Sequence, residues 1–212
     1  MIALKTPPEF RRKSPPKNVP ESLIYEIMDG QPIYYAGFEK VLTGEKQHGE
    51  IMGCSSLQSV IVDYLLKVIY KNLPDDEWLA LSNELGLHLN RRNNLSGDIC
   101  LYEVATFPFD KVGNRYADFP PKIAIEVDTK ADLSGFNSFE EYASRKTRKL
   151  HNWGTEKVIW IVSRMRHVWV AEKDQPQWTI FEWDQDITLL SEVTFNVANY
   201  LKRMNIVLPE ED

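Results

Sequence analysis

The chain has 212 residues, 43% hydrophobic and 26% charged, with 6 Trp, 9 Tyr and 9 Phe, a composition that suits a soluble globular fold with a substantial core. Its net charge of −6 argues against a generic nucleic-acid coat protein, which would be basic, while leaving room for a local basic patch. Cys54 and Cys100, the two cysteines, are too few for a disulfide framework and lack zinc-ligand spacing; both are expected as reduced, largely buried thiols.

Residues 1 to about 22 are proline-rich and basic, with Lys5, Arg11, Arg12, Lys13 and Lys17, and read as an extended arm. Residues 23–212 read as a single domain. No apolar run suits a signal peptide, and none approaches the ~20 residues of a membrane span. A cytoplasmic protein is therefore expected.

"LIYEIMDGQPIYYAG" contains two short β-like runs around Asp29-Gly30, a strong hairpin signal. In "SSLQSVIVDYLLKVIYKNLP", Leu57, Ile61, Tyr64, Leu65 and Val68 stand at helical spacing, and Pro74 follows the end. "WLALSNELGLHLN" alternates, with Leu79, Leu81, Leu85, Leu87 and Leu89 on one face and Glu84, Gly86 and His88 on the other. The turn-like "RRNN" leads to the strand "GDICLYEV", with Asp98 on the face opposite Ile99 and Leu101. Antiparallel pairing about this turn predicts His88 roughly across from Asp98.

"PKIAIEVDTK" follows a loop marked by Pro108, Gly113 and Pro120-Pro121. Ile123, Ile125 and Val127 form an aliphatic face, and Ala124, Glu126, Asp128 and Lys130 line the other. "SFEEYASRKTRKLHNWG" is then a helix with a capping box at Ser138 and Glu141 and a stop at Gly154. Its buried stripe is Phe139, Tyr142, Ala143, Lys146, Leu150 and Trp153, a lysine in the middle of an apolar face. That lysine is either a snorkelling stem or an ammonium aimed at a partner. "EKVIWIVSRMRHVWVAE" and "WTIFEW" are strands, and "FNVANYLKRM" reads as a last helix.

Asp98, Glu126 and a nearby lysine are the residue types that metal-assisted phosphodiester hydrolysis needs. Two carboxylates can hold Mg²⁺ while waters and a phosphate fill its other positions, and a lysine can orient the water or stabilise developing charge. Glu84 and His88 are supplementary candidates, and His48 and Glu50 more remote ones. From Arg145 to Arg166 the basic residues Arg145, Lys146, Arg148, Lys149, Lys157, Arg164 and Arg166, with His151 nearby and His167 just beyond, face Glu156 alone. The run is either a phosphate-tracking surface or an ordinary solvated face.

"GDICLY", "IAIEV" and "RKTRKLHNWGTEKVIWIV" in this order resemble the core of the PD-(D/E)XK nuclease superfamily, and more narrowly a bacterial family of candidate restriction endonucleases. The hairpin and first helix also resemble that family, so the likeness runs over roughly residues 22 to 172. It implies an α/β fold with a restriction-endonuclease-like central mixed sheet, flanked by helices and extended by an N-terminal hairpin. It further implies an Mg²⁺- or Mn²⁺-dependent endonuclease that hydrolyses DNA, often as a homodimer. Asp98 and Glu126 would hold the metal, with Asp128 as a third ligand, and Lys146 or Lys130 would serve as the catalytic lysine. Three departures stand out: Asp128 occupies the superfamily's usual lysine position, Leu150 replaces an aromatic, and Gly97 replaces the proline before the first Asp. The alternative function is a non-catalytic module that keeps the fold and binds nucleic acid or a partner.

Overall fold

The computed structural model describes residues 18–208. Most of the basic arm read from residues 1–22 therefore lies outside the described residues. The first elements are a hairpin of β1 (Ile24–Met28) and β2 (Gln31–Tyr34), two short helices α1 (Phe38–Leu42) and α2 (Gly49–Met52), and the long helix α3 (Ser56–Asn72). A second hairpin follows, β3 (Trp78–Asn90) and β4 (Asn93–Glu103), and then β5 (Ile123–Val127), α4 (Phe139–Trp153) and β6 (Lys157–Val162). The chain ends with β7 (His167–Glu172), β8 (Thr179–Glu182), the small pair β9 (Ile187–Leu190) and β10 (Val193–Phe195), and α5 (Val197–Arg203). No described helix is long and apolar enough to cross a membrane.

Eight strands form one mixed sheet in the order β2-β1-β4-β5-β6-β7-β8, with β3 paired to β4. β5 and β6 are parallel, every other pairing is antiparallel, and α4 makes the crossover between them. Every residue of β5 is buried, as a parallel strand covered on both faces requires. Ile123, Ile125 and Val127 pack with Ile61, Leu65 and Ile69 of α3 and with α5. Ala124 faces the other way, in a layer with Trp160 and with Tyr142, Ala143 and Leu150 of α4. A third cluster of Leu23, Tyr35, Phe38 and Ile51 lies beneath α1 and α2.

Local chemistry sets the element ends. Asp29 and Gly30 both adopt positive φ, 57° and 76°, as a two-residue hairpin turn demands. Ser55 caps α3 by accepting from the Gln58 N–H at 3.1 Å, and Ser138 caps α4 by accepting from the Glu141 N–H at 3.3 Å. The Glu141 carboxylate bonds Asn137 rather than Ser138, at 2.8 Å to its backbone N–H, a one-residue variant of the expected box. Gly154 ends α4 at φ 139°.

Two expectations need correction. His88 pairs with Asn94, not Asp98. A bulge between Ser82 and Leu85, with Asn83 and Glu84 at positive φ, shifts the register partway along the hairpin. Cys100 is buried but Cys54 is exposed. The β9–β10 hairpin was not read from the sequence.

Candidate active site

The site is built around the one lysine on the buried stripe of α4. Lys146 is fully buried, and its Nζ lies 2.9 Å from Glu126 Oε2 on β5 and 2.8 Å from Glu26 Oε1 on β1. The Trp160 and Tyr142 rings lie 5.6 and 6.0 Å from the ammonium, so aromatic faces complete a cation's surroundings. A buried ammonium must be paired or give up its proton. Here the two carboxylates outweigh the cost of burial and hold Lys146 well above the ordinary lysine range.

Glu126 alternates with Ile125 and Val127 and therefore faces α4, where it is 2% exposed. One of its oxygens meets Lys146; the other, Oε1, is buried and has no hydrogen-bond partner. Burial pushes its carboxyl up to about 8, against the pull of Lys146 and with a further push from Asp98. Asp98 is half-buried and pinned on both oxygens, Oδ2 accepting from the Val127 N–H at 2.7 Å and Oδ1 from Gln58 Nε2 at 3.2 Å. Burial raises its carboxyl too, and the Val127 bond and the Lys146 charge resist.

Gly97, the residue before Asp98, has a packing reason to be glycine. A Cβ there would lie 2.6 Å from Cys100 Sγ and 4.0 Å from Glu126 Oε1. The room beside the carboxylate depends on the missing side chain.

The other sequence candidates are engaged elsewhere, although the Asp128 charge still adds to the upward push on Asp98. Lys130 donates to the Met52 carbonyl at 2.9 Å and forms an ion pair with Glu84. Asp128 adopts φ 57° and accepts from the Ser163 N–H at 2.7 Å, closing the turn after β5. His88 contacts Asn94 Oδ1 through Nδ1 at 2.6 Å. His48 Nε2 meets the Ser22 carbonyl at 2.8 Å, and Glu50 accepts from the Gln47 N–H.

Three members of the basic run, Arg145, Lys149 and Lys157, are paired with carboxylates. Arg145 and Lys149 pair with Asp29 at 3.1 and 2.5 Å, while Lys157 pairs with Glu172 at 3.0 Å. The sequence window missed these counter-charges because they come from the β1–β2 turn and from β7. Glu26 and Gln58 were missed as well. The available signal for Glu26 was its place in "YEIM", the one charge in a strand whose next inward residue, Met28, is core.

No group of three His, Cys, Asp or Glu side chains converges as a metal cage among the described residues. The donor set available to a cation is the Asp98–Glu126 pair. An orphaned buried carboxylate oxygen beside a second carboxylate fits a hard divalent ion, which takes oxygen ligands and keeps several waters.

No protein-family model and no curated protein matches the chain. Among solved structures, a candidate nuclease of the DUF820 family from Anabaena variabilis is similar, with a TM-score of 0.61 and 16% identity over 84% of this chain and 89% of that one. At that identity the likeness establishes a shared fold: a mixed central sheet flanked by helices, as in that nuclease-like structure.

Proposed function

We propose that the protein is a metal-dependent nuclease that hydrolyses DNA phosphodiesters at Asp98, Glu126 and Lys146. The observation that carries this reading is Glu126 Oε1, a buried carboxylate oxygen without a partner, beside Asp98. The nuclease-like fold of the Anabaena structure supports it. When bound, Mg²⁺ or Mn²⁺ supplies charge neutralisation at a phosphate and a more acidic water.

The chain's own groups do the rest. Val127 and Gln58 fix the Asp98 carboxylate, and Glu126 presents Oε1. Lys146 stays protonated, so it stabilises negative charge and does not take a proton from water. Lys130 and Asp128, engaged with Glu84 and Ser163, are left out of the proposed machinery.

Metal-stripped protein titrated with Mn²⁺ by calorimetry, followed by incubation with supercoiled plasmid, tests the reading. Saturable binding and plasmid nicking that both disappear in Asp98→Asn and Glu126→Gln are the expected outcome. Absence of binding would overturn it.

The burial of Glu126 and Lys146 favours a second reading, a module that binds nucleic acid or a partner without cutting. For that reading, partner binding is unchanged in Asp98→Asn.

A further inference from the structure

Glu26 belongs to neither of the two strands that carry the proposed ligands, yet it is the other carboxylate on Lys146. Its Oε1 accepts from the Ser96 N–H at 2.9 Å and the Ser96 hydroxyl at 3.0 Å, and forms an ion pair with the ammonium at 2.8 Å. Its Oε2 accepts from the Tyr142 hydroxyl at 2.8 Å. Three hydrogen-bond donors and the ammonium, from β4 and α4, converge on one buried carboxylate, so both of its oxygens are engaged. Glu126 is the opposite case, with one oxygen on Lys146 and one on nothing.

An ammonium facing one carboxylate can sit across both of its oxygens. Lys146 instead is shared, its Nζ lying 2.8 Å from Glu26 Oε1 and 2.9 Å from Oε2 of Glu126, while Glu126 Oε1 accepts no hydrogen bond. We infer that Glu26 is a positioning residue of the site: it holds the Lys146 ammonium off Glu126 Oε1, keeping that oxygen open for the divalent cation. The inference rests on the nuclease reading and adds to it a residue that contacts neither metal nor substrate. Ser96 and Tyr142 belong to the same device, because they fix the Glu26 carboxylate from two sides.

Mn²⁺ calorimetry on metal-stripped wild type, Glu26→Gln and Glu26→Asp, with a thermal melt of each, tests it. Glu26→Gln keeps the shape and removes the charge; Glu26→Asp keeps the charge and withdraws it from Lys146. Both are expected to weaken Mn²⁺ binding at least tenfold, the usual effect of losing a partner behind a metal ligand. Wild-type affinity in both variants, with lowered melting temperatures alone, would mean a merely structural residue and overturn the inference. Wild-type affinity in Glu26→Asp alone would mean a simple charge effect and also overturn it.

If either variant fails to fold, Tyr142→Phe replaces it, since it leaves every charge in place and frees one Glu26 oxygen. Weakened Mn²⁺ binding there supports the positioning role, and unchanged binding refutes it. Absence of Mn²⁺ binding in the wild type has a different signature: the nuclease reading itself fails, and this inference falls with it.

Discussion

At Glu126, burial and the Lys146 charge act in opposite directions, and burial wins, bringing the carboxyl up to about 8. An unfolded glutamate titrates near 4.3. Between these values the folded protein keeps a proton that the unfolded chain has lost, so stability falls as pH rises through that window. The fall is limited to about 1.4 kcal/mol per pH unit for one group, and Asp98, also raised, adds to it at the acid end. Urea unfolding of the metal-free protein from pH 5 to 8 should show this decline, and Glu126→Gln should flatten most of it. The pattern of "IAIEV" alone made Glu126 legible, because a charge alternating with aliphatic residues is a local signal. Glu26 shows the limit: its partners Tyr142 and Ser96 lie 116 and 70 residues away, and its alternation with Met28 in "YEIM" is too short to single it out.

Elements with strong periodicity and explicit caps were readable as elements. α4 is the clearest case, with Ser138 at one end, Gly154 at the other and its predicted stripe on the buried side. Gly154 has two reasons to be glycine: a φ of 139° and a Cβ position 2.8 Å from Pro120 Cγ. Gly154→Ala should therefore cost about 1–3 kcal/mol, the range for strained backbone, read from the shift of the urea midpoint at constant slope. The β9–β10 pair was illegible because its strands are short and Ser191, rather than Gly or Asn, takes the positive φ between them. The β3–β4 register failed for a related reason. A bulge shows up as geometry, and "SNELG" does not differ from ordinary alternation.

Across the whole molecule, the sheet order places β1 and β5 on either side of β4. This is what lets Glu26 and Glu126 reach the same lysine from strands far apart in the chain. The mixed sheet flanked by helices was implied by the resemblance that "GDICLY", "IAIEV" and "RKTRKLHNWGTEKVIWIV" carry, and the observed sheet agrees with it. The closed surroundings of Lys146 were not legible, since burial on that scale depends on elements from both ends of the chain.

The Lys146 ion pairs have a consequence for synthesis on the ribosome. As the chain emerges, Glu26 and Glu126 are made before the cation that will neutralise them, and burying carboxylates without it is costly. The sheet up to β5 is therefore expected to close only once α4 has been made. A fragment of residues 1–136 should lack a cooperative thermal transition by circular dichroism, whereas one of residues 1–208 should have one. Lys146 thus ties closure around Glu26 and Glu126 to the completion of α4.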